Sequence, residues 1–153
     1  MAEVSRRAGV GMATLYRNFA GKRQLLEALY IDEVNAVCEA AATVHGETPG
    51  AALTAWLHRF VAFFNSKRHV SSELLRESRD SGPFLNQSRD RVLAAGRPLV
   101  AAAQHAGEVR DDLTLEQILD MIIAIASING DLAYSAPILL AGLDGLRPPA
   151  GIG

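Results

Sequence analysis

The chain has 153 residues, 49% of them hydrophobic and 21% charged, a composition that suits one compact domain and excludes a disordered chain. A single cysteine, Cys38, excludes an internal disulfide and any multi-cysteine metal site. The formal charge of −2 hides a division, since residues 1–24 carry +4 and the remainder −6. A basic head suited to an anionic partner is followed by an acidic body.

In chain order, the pattern is helical nearly throughout. A first helix is predicted from Ala2 to Ala8, a turn at Gly9-Val10-Gly11, and a second short helix from Met12 to Phe19. Ala20-Gly21 breaks the pattern. A long helix then starts near Lys22, with Leu25, Leu26, Leu29, Tyr30, Val34 and Val37 in helical rhythm, and ends before Gly46. Thr48-Pro49 opens the next, which Asn65-Ser66 and Lys67-Arg68-His69 are expected to end. A shorter helix follows over Ser71 to Arg79, stopped by Ser81-Gly82-Pro83. Another runs from Phe84 to Ala106, with a kink or break expected at Pro98 and closure at Gly107.

Thr114-Leu115-Glu116-Gln117 reads as a capping box. The helix it starts is apolar almost all round, so it must be buried on more than one side, one of which suits a second subunit. Its residues Leu115, Ile118, Leu119, Ile122, Ile123 and Ala126, with Ile138 and Leu139 of a last helix over Tyr134 to Leu143, form the candidate dimer interface. The fold class is therefore all-α. The start of the chain has no apolar signal-peptide core. The longest strongly apolar stretch, Met121 to Ile128, is far short of a membrane span of about 20 residues. A cytoplasmic protein with no membrane partner is expected.

Two short helices joined by a Gly-containing turn make a helix-turn-helix. Its second helix would present Met12, Ala13, Thr14, Tyr16, Arg17 and Asn18 outward, with Leu15 and Phe19 inward. Arg can read guanine and Asn adenine, the Ala and Thr methyls can touch thymine, and Tyr16 and Thr14 can reach phosphate. Lys22, at the start of the long helix, adds its charge to free backbone N–H groups as a phosphate clamp.

Residues 2–26 resemble the DNA-binding signature of the TetR family of transcriptional repressors. The matching pieces are Ala8-Gly9-Val10, Thr14-Leu15-Tyr16, Phe19, Lys22 and Leu25-Leu26. The resemblance implies a head over residues 1–24 and a helical ligand-binding and dimerisation domain over 25–153. The Gly-Glu-Val-Arg-Asp-Asp-Leu-Thr run resembles the usual lead into the family's dimerisation helix. Gly11 stands where the family often has a polar N-cap, which implies one phosphate contact fewer. Met12 and Ala13 imply an unusual base readout. The family's first helix, which completes a three-helix head, has no counterpart here, and the natural polypeptide is expected to begin upstream.

In the body, Trp56, Phe60, Phe63, Phe64, Leu74, Met121, Ile125, Asn129 and Tyr134 are the candidate effector-binding set. Each aromatic taken singly reads as core packing, and the resemblance moves the group toward a pocket. His45, His58, His69 and His105 lack metal-ligand spacing, and Cys38 reads as a small buried hydrophobe. Glu73, Glu77 and Asp80, interleaved with Arg76 and Arg79, read as a solvated salt-bridged face. No catalytic constellation, cofactor motif or metal site is visible. The expected function is a dimeric, ligand-responsive repressor that binds a pseudo-palindromic double-stranded DNA operator and releases it when a small, mostly apolar effector enters the body. The alternative is a dimeric helical ligand-binding module with a non-functional head.

Overall fold

The computed structural model describes residues 21–77 and 81–150. The helices expected over residues 2–19, and with them Met12, Ala13, Thr14, Tyr16, Arg17 and Asn18, lie outside the described residues. Those described form five helices and no strand: α1 (Lys22–Thr43), α2 (Pro49–Glu77), α3 (Ser81–His105), α4 (Leu115–Ala126) and α5 (Leu132–Asp144).

Pairwise contacts set the register. The Trp56 indole N–H donates to the Val37 carbonyl at 3.0 Å, the Tyr30 and Phe63 rings meet at 5.8 Å, and Lys22 reaches Glu73 at 3.0 Å. The paired numbers run in opposite senses, so α1 and α2 are antiparallel. Arg89 bonds Asp120 at 3.2 Å and Arg97 bonds Glu116, which makes α3 and α4 antiparallel as well. α1, α2 and α3 pack on one another, α4 packs on α2 and α3, and α5 packs on α4. The main core gathers Val34, Leu53, Trp56, Leu57, Phe60, Val92, Ile118 and Ile122. Burying each such aliphatic or aromatic side chain is worth about 1.5–3 kcal/mol.

Two breaks that the sequence suggests do not occur, for one physical reason. The break expected at Asn65 to His69 does not occur, and α2 runs unbroken from Pro49 to Glu77. Val70 and Leu74 continue its apolar stripe into a second buried cluster with Leu26. The polar residues stay compatible with a helix: Ser66, Ser71 and Ser72 donate to carbonyls three or four residues earlier, and Lys67 pairs with Glu33 at 3.6 Å. Nor does Pro98 end α3. It lies exposed, while Val92, Leu93, Val100 and Ala103 anchor the helix on both sides of it. Tertiary packing outweighs local propensity in both places. Ser81-Gly82-Pro83, expected to stop a helix, is the first turn of α3, where proline is tolerated.

The ends follow the sequence more closely. Thr114 and Gln117 form the expected reciprocal capping box at the head of α4. Gly107 adopts φ +73°, a left-handed conformation that favours glycine, and the chain folds back so that the Glu108 and Val109 N–H groups reach the Ala103 carbonyl. The Glu108 carboxylate then accepts from the Gly50 N–H at 3.1 Å, placing a negative charge at the N-terminus of α2.

Candidate functional site

The aromatic residues of α2 follow helical spacing, so Phe60, Phe63 and Phe64 face the same side as the apolar stripes of α1 and α3. Between them lies a cavity of about 240 Å³. Its walls are Tyr30 and Val34 from α1, Phe60, Phe63 and Phe64 from α2, Leu85, Ser88 and Val92 from α3, and Leu119 and Ile123 from α4, with Asn86 and Arg89 also on the α3 side. The rings pack edge-on or tilted: Tyr30 to Phe63 at 5.8 Å, Tyr30 to Phe84 at 5.8 Å, and Phe60 to Phe63 at 6.0 Å. Burial pushes the Tyr30 phenol above its ordinary pKa.

Of the effector set read from the sequence, Phe60, Phe63 and Phe64 are brought together here. Trp56 is fully buried beside Phe60, 6.3 Å between rings, and serves the core. Leu74 lies in the second cluster with Leu26 and Val70. Met121 and Ile125 point toward Gly142 of α5, and Ile125 lines a separate groove of about 360 Å³ beside Leu132 and Leu139. Asn129 and Tyr134 are exposed. Sequence reasoning missed Tyr30, Ser88 and Arg89. Leu85, Ser88 and Val92 share one helical stripe, and a serine in such a stripe was the available signal.

The candidate dimer residues divide. Leu115, Ile118, Leu119 and Ile122 are buried within the protomer, where they hold α4 against α2 and α3. Ile123 lines the aromatic cavity. Ala126, Ile138 and Leu139 are half-buried, and α5 buries no residue fully although it is largely apolar. Leu132, Tyr134 and Leu140 stand 79%, 62% and 57% exposed.

Lys22 opens α1, and its ammonium meets the Glu73 carboxylate at 3.0 Å across to α2. Glu73 also accepts from Arg76 at 3.0 Å. The hydrogen bond and charge of Lys22, joined by the charge of Arg76, hold the Glu73 carboxyl below the usual carboxylate range. Glu73 belongs to the same helix as the cavity's phenylalanines, so one helix touches both the cavity and Lys22. Cys38 is half-buried against the core, its thiol 3.7 Å from the Arg91 carbonyl, and burial raises its pKa. Among the described residues no cluster of His, Cys, Asp and Glu could hold a metal ion, and no helix is long and apolar enough to cross a membrane.

Comparison with known proteins gives this arrangement its context. A family model described as "Transcriptional regulator SbtR-like, C-terminal domain" matches residues 48–148, well over half of the chain. The chain belongs to the TetR family. A second model, "Bacterial regulatory proteins, tetR family", matches residues 1–29 and so covers the basic head. The crystal structure of the TetR transcriptional regulator SCO0520 from Streptomyces coelicolor is similar, with 36% identity and a TM-score of 0.78, over 95% of this chain and 86% of that one. A TetR-family regulatory protein from Rhodococcus RHA1 shares the fold at 13% identity and a TM-score of 0.60, over 97% of this chain and 86% of that one. No curated protein matches. As a TetR-family chain, the protein is a DNA-binding transcriptional regulator and not an enzyme.

Proposed function

We propose that this TetR-family regulator is a homodimeric repressor that acts in the cytoplasm. A head over residues 1–24 binds DNA, and a body over 25–153 dimerises and binds a small effector. Met12, Ala13, Thr14, Tyr16, Arg17 and Asn18 meet the major groove and Lys22 a phosphate. The two heads of a dimer occupy half-sites about 34–36 Å apart, one DNA turn. The partner covers the apolar outer face of α5 and the neighbouring end of α4 (Ala126, Ile138 and Leu139 with Leu132, Tyr134 and Leu140), since such a patch is unusual on a free protomer.

The effector occupies the aromatic cavity, with Phe60, Phe63 and Phe64 as its main contacts. One observation carries this reading: α2 lines the cavity with these rings and, on the same helix, holds Lys22 through Glu73. An effector that favours a shifted α2 therefore moves the anchor of the head. It alters operator binding only by its differential affinity for the two states.

Selection of genomic fragments by the purified protein tests the reading. A recovered pseudo-palindrome supports the repressor. An empty selection contradicts it and favours a ligand-binding module whose head does not function.

A further inference from the structure

The cavity's lining is chemically lopsided. Among the described residues around it, only Arg89 carries a formal charge, and no carboxylate lines it. Arg89 bonds Asp120 at 3.2 Å, but the Asp120 side chain is 65% exposed and that of Arg89 41%. Such a surface pair is weak and exchangeable, and Asp120 returns to water at little cost. A cation entering the cavity would meet Arg89 with nothing to pair it. A neutral apolar molecule would leave the guanidinium on Asp120 and draw nothing from it. A planar carboxylate matches its fork of donors. Tyr30 and the three phenylalanines line the same cavity as Arg89, and aromatic side chains suit a flat aromatic body. The volume, about 240 Å³, has room for one or two fused rings.

We infer that the effector is a small aromatic monocarboxylate, its ring among Phe60, Phe63, Phe64 and Tyr30 and its carboxylate on Arg89 in place of Asp120. This rests on the aromatic cavity being the effector site. Ser88, nearly fully buried in the α3 wall, adds a hydroxyl to a lining that is mostly apolar.

Calorimetry on the full chain with benzoate, 2-naphthoate, their amides and benzylamine tests the class. The acids should bind about tenfold or more tighter than the amides, as a hydrogen bond to a charged group predicts. Benzylamine should bind no better than the amides. Arg89→Gln should abolish the preference for acids over amides, and Arg89→Lys should restore part of it. Amides or benzylamine binding as tightly as the acids would overturn the carboxylate assignment while leaving the cavity as the effector site. If no ring compound of any charge binds, the class and the cavity reading both fall.

Discussion

Lys22 bonds the Glu73 carboxylate at 3.0 Å, and under the proposed DNA contact its single charge is divided between that carboxylate and a phosphate. If Glu73 competes with phosphate, Glu73→Gln should strengthen binding to any DNA by up to about fivefold, the range open to an exposed pair. Lys22→Ala should weaken binding across all sequences and lower the salt slope by about one. Anisotropy titrations at several salt concentrations read both. The Glu73 carboxyl is held low in the folded state, so its stabilising contribution is present above the ordinary carboxylate pKa of about 4.3 and is lost as pH falls through the lower folded value. Glu73→Gln should therefore remove part of the acid sensitivity seen in unfolding scans. This contact was only half legible. The sequence marks Lys22 for phosphate and Glu73 for a solvated face, and no local pattern joins residues 51 positions apart.

Gly96 gives a second residue-scale prediction. Replacing a mid-helix glycine by alanine normally gains about 0.5–1 kcal/mol. Here a Cβ would lie 2.4 Å and 2.6 Å from ring carbons of the buried Trp56, and 3.0 Å from Leu115. The indole is rigid and tethered to the Val37 carbonyl, so overpacking of about 1–3 kcal/mol outweighs the helix gain. Gly96→Ala should lower stability in denaturant unfolding.

At the scale of elements, α4 was the most legible. Its capping box is a local signal, and the structure contains both reciprocal bonds, the Gln117 N–H to Thr114 at 3.2 Å and the Thr114 N–H to Gln117 at 2.9 Å. Thr114→Ala should cost about 1 kcal/mol of stability in thermal unfolding, as loss of an N-cap does. The length of α2 was not legible, because Asn65, Ser66 and His69 favour an ending that only the burial of Val70 and Leu74 overrides. The same limit scattered the effector set. Periodicity places Phe60, Phe63 and Phe64 on one face, but whether that face meets a void or another helix depends on Tyr30, Ser88 and Val92 arriving from other elements.

For the whole molecule, the all-α class and the family were legible from periodicity and the motif of residues 2–26. The surface of assembly is a proposal. An all-apolar α4 reads as shared between protomers, and because Leu115, Ile118, Leu119 and Ile122 are buried inside one protomer, the interface is proposed on the apolar α5. Leu140→Asp should therefore yield monomers in light scattering while helicity is retained, and it should weaken operator binding because two half-sites are no longer held together.

The most direct test is anisotropy of a fluorescent DNA taken from beside the protein's own gene, with random DNA as competitor and salt varied. Sequence-preferring binding whose affinity falls steeply with salt, and which Arg17→Ala weakens more on the preferred site than on random DNA, is the predicted result. Equal affinity for flanking and random DNA, with an empty genomic selection, would contradict the regulator reading at its root.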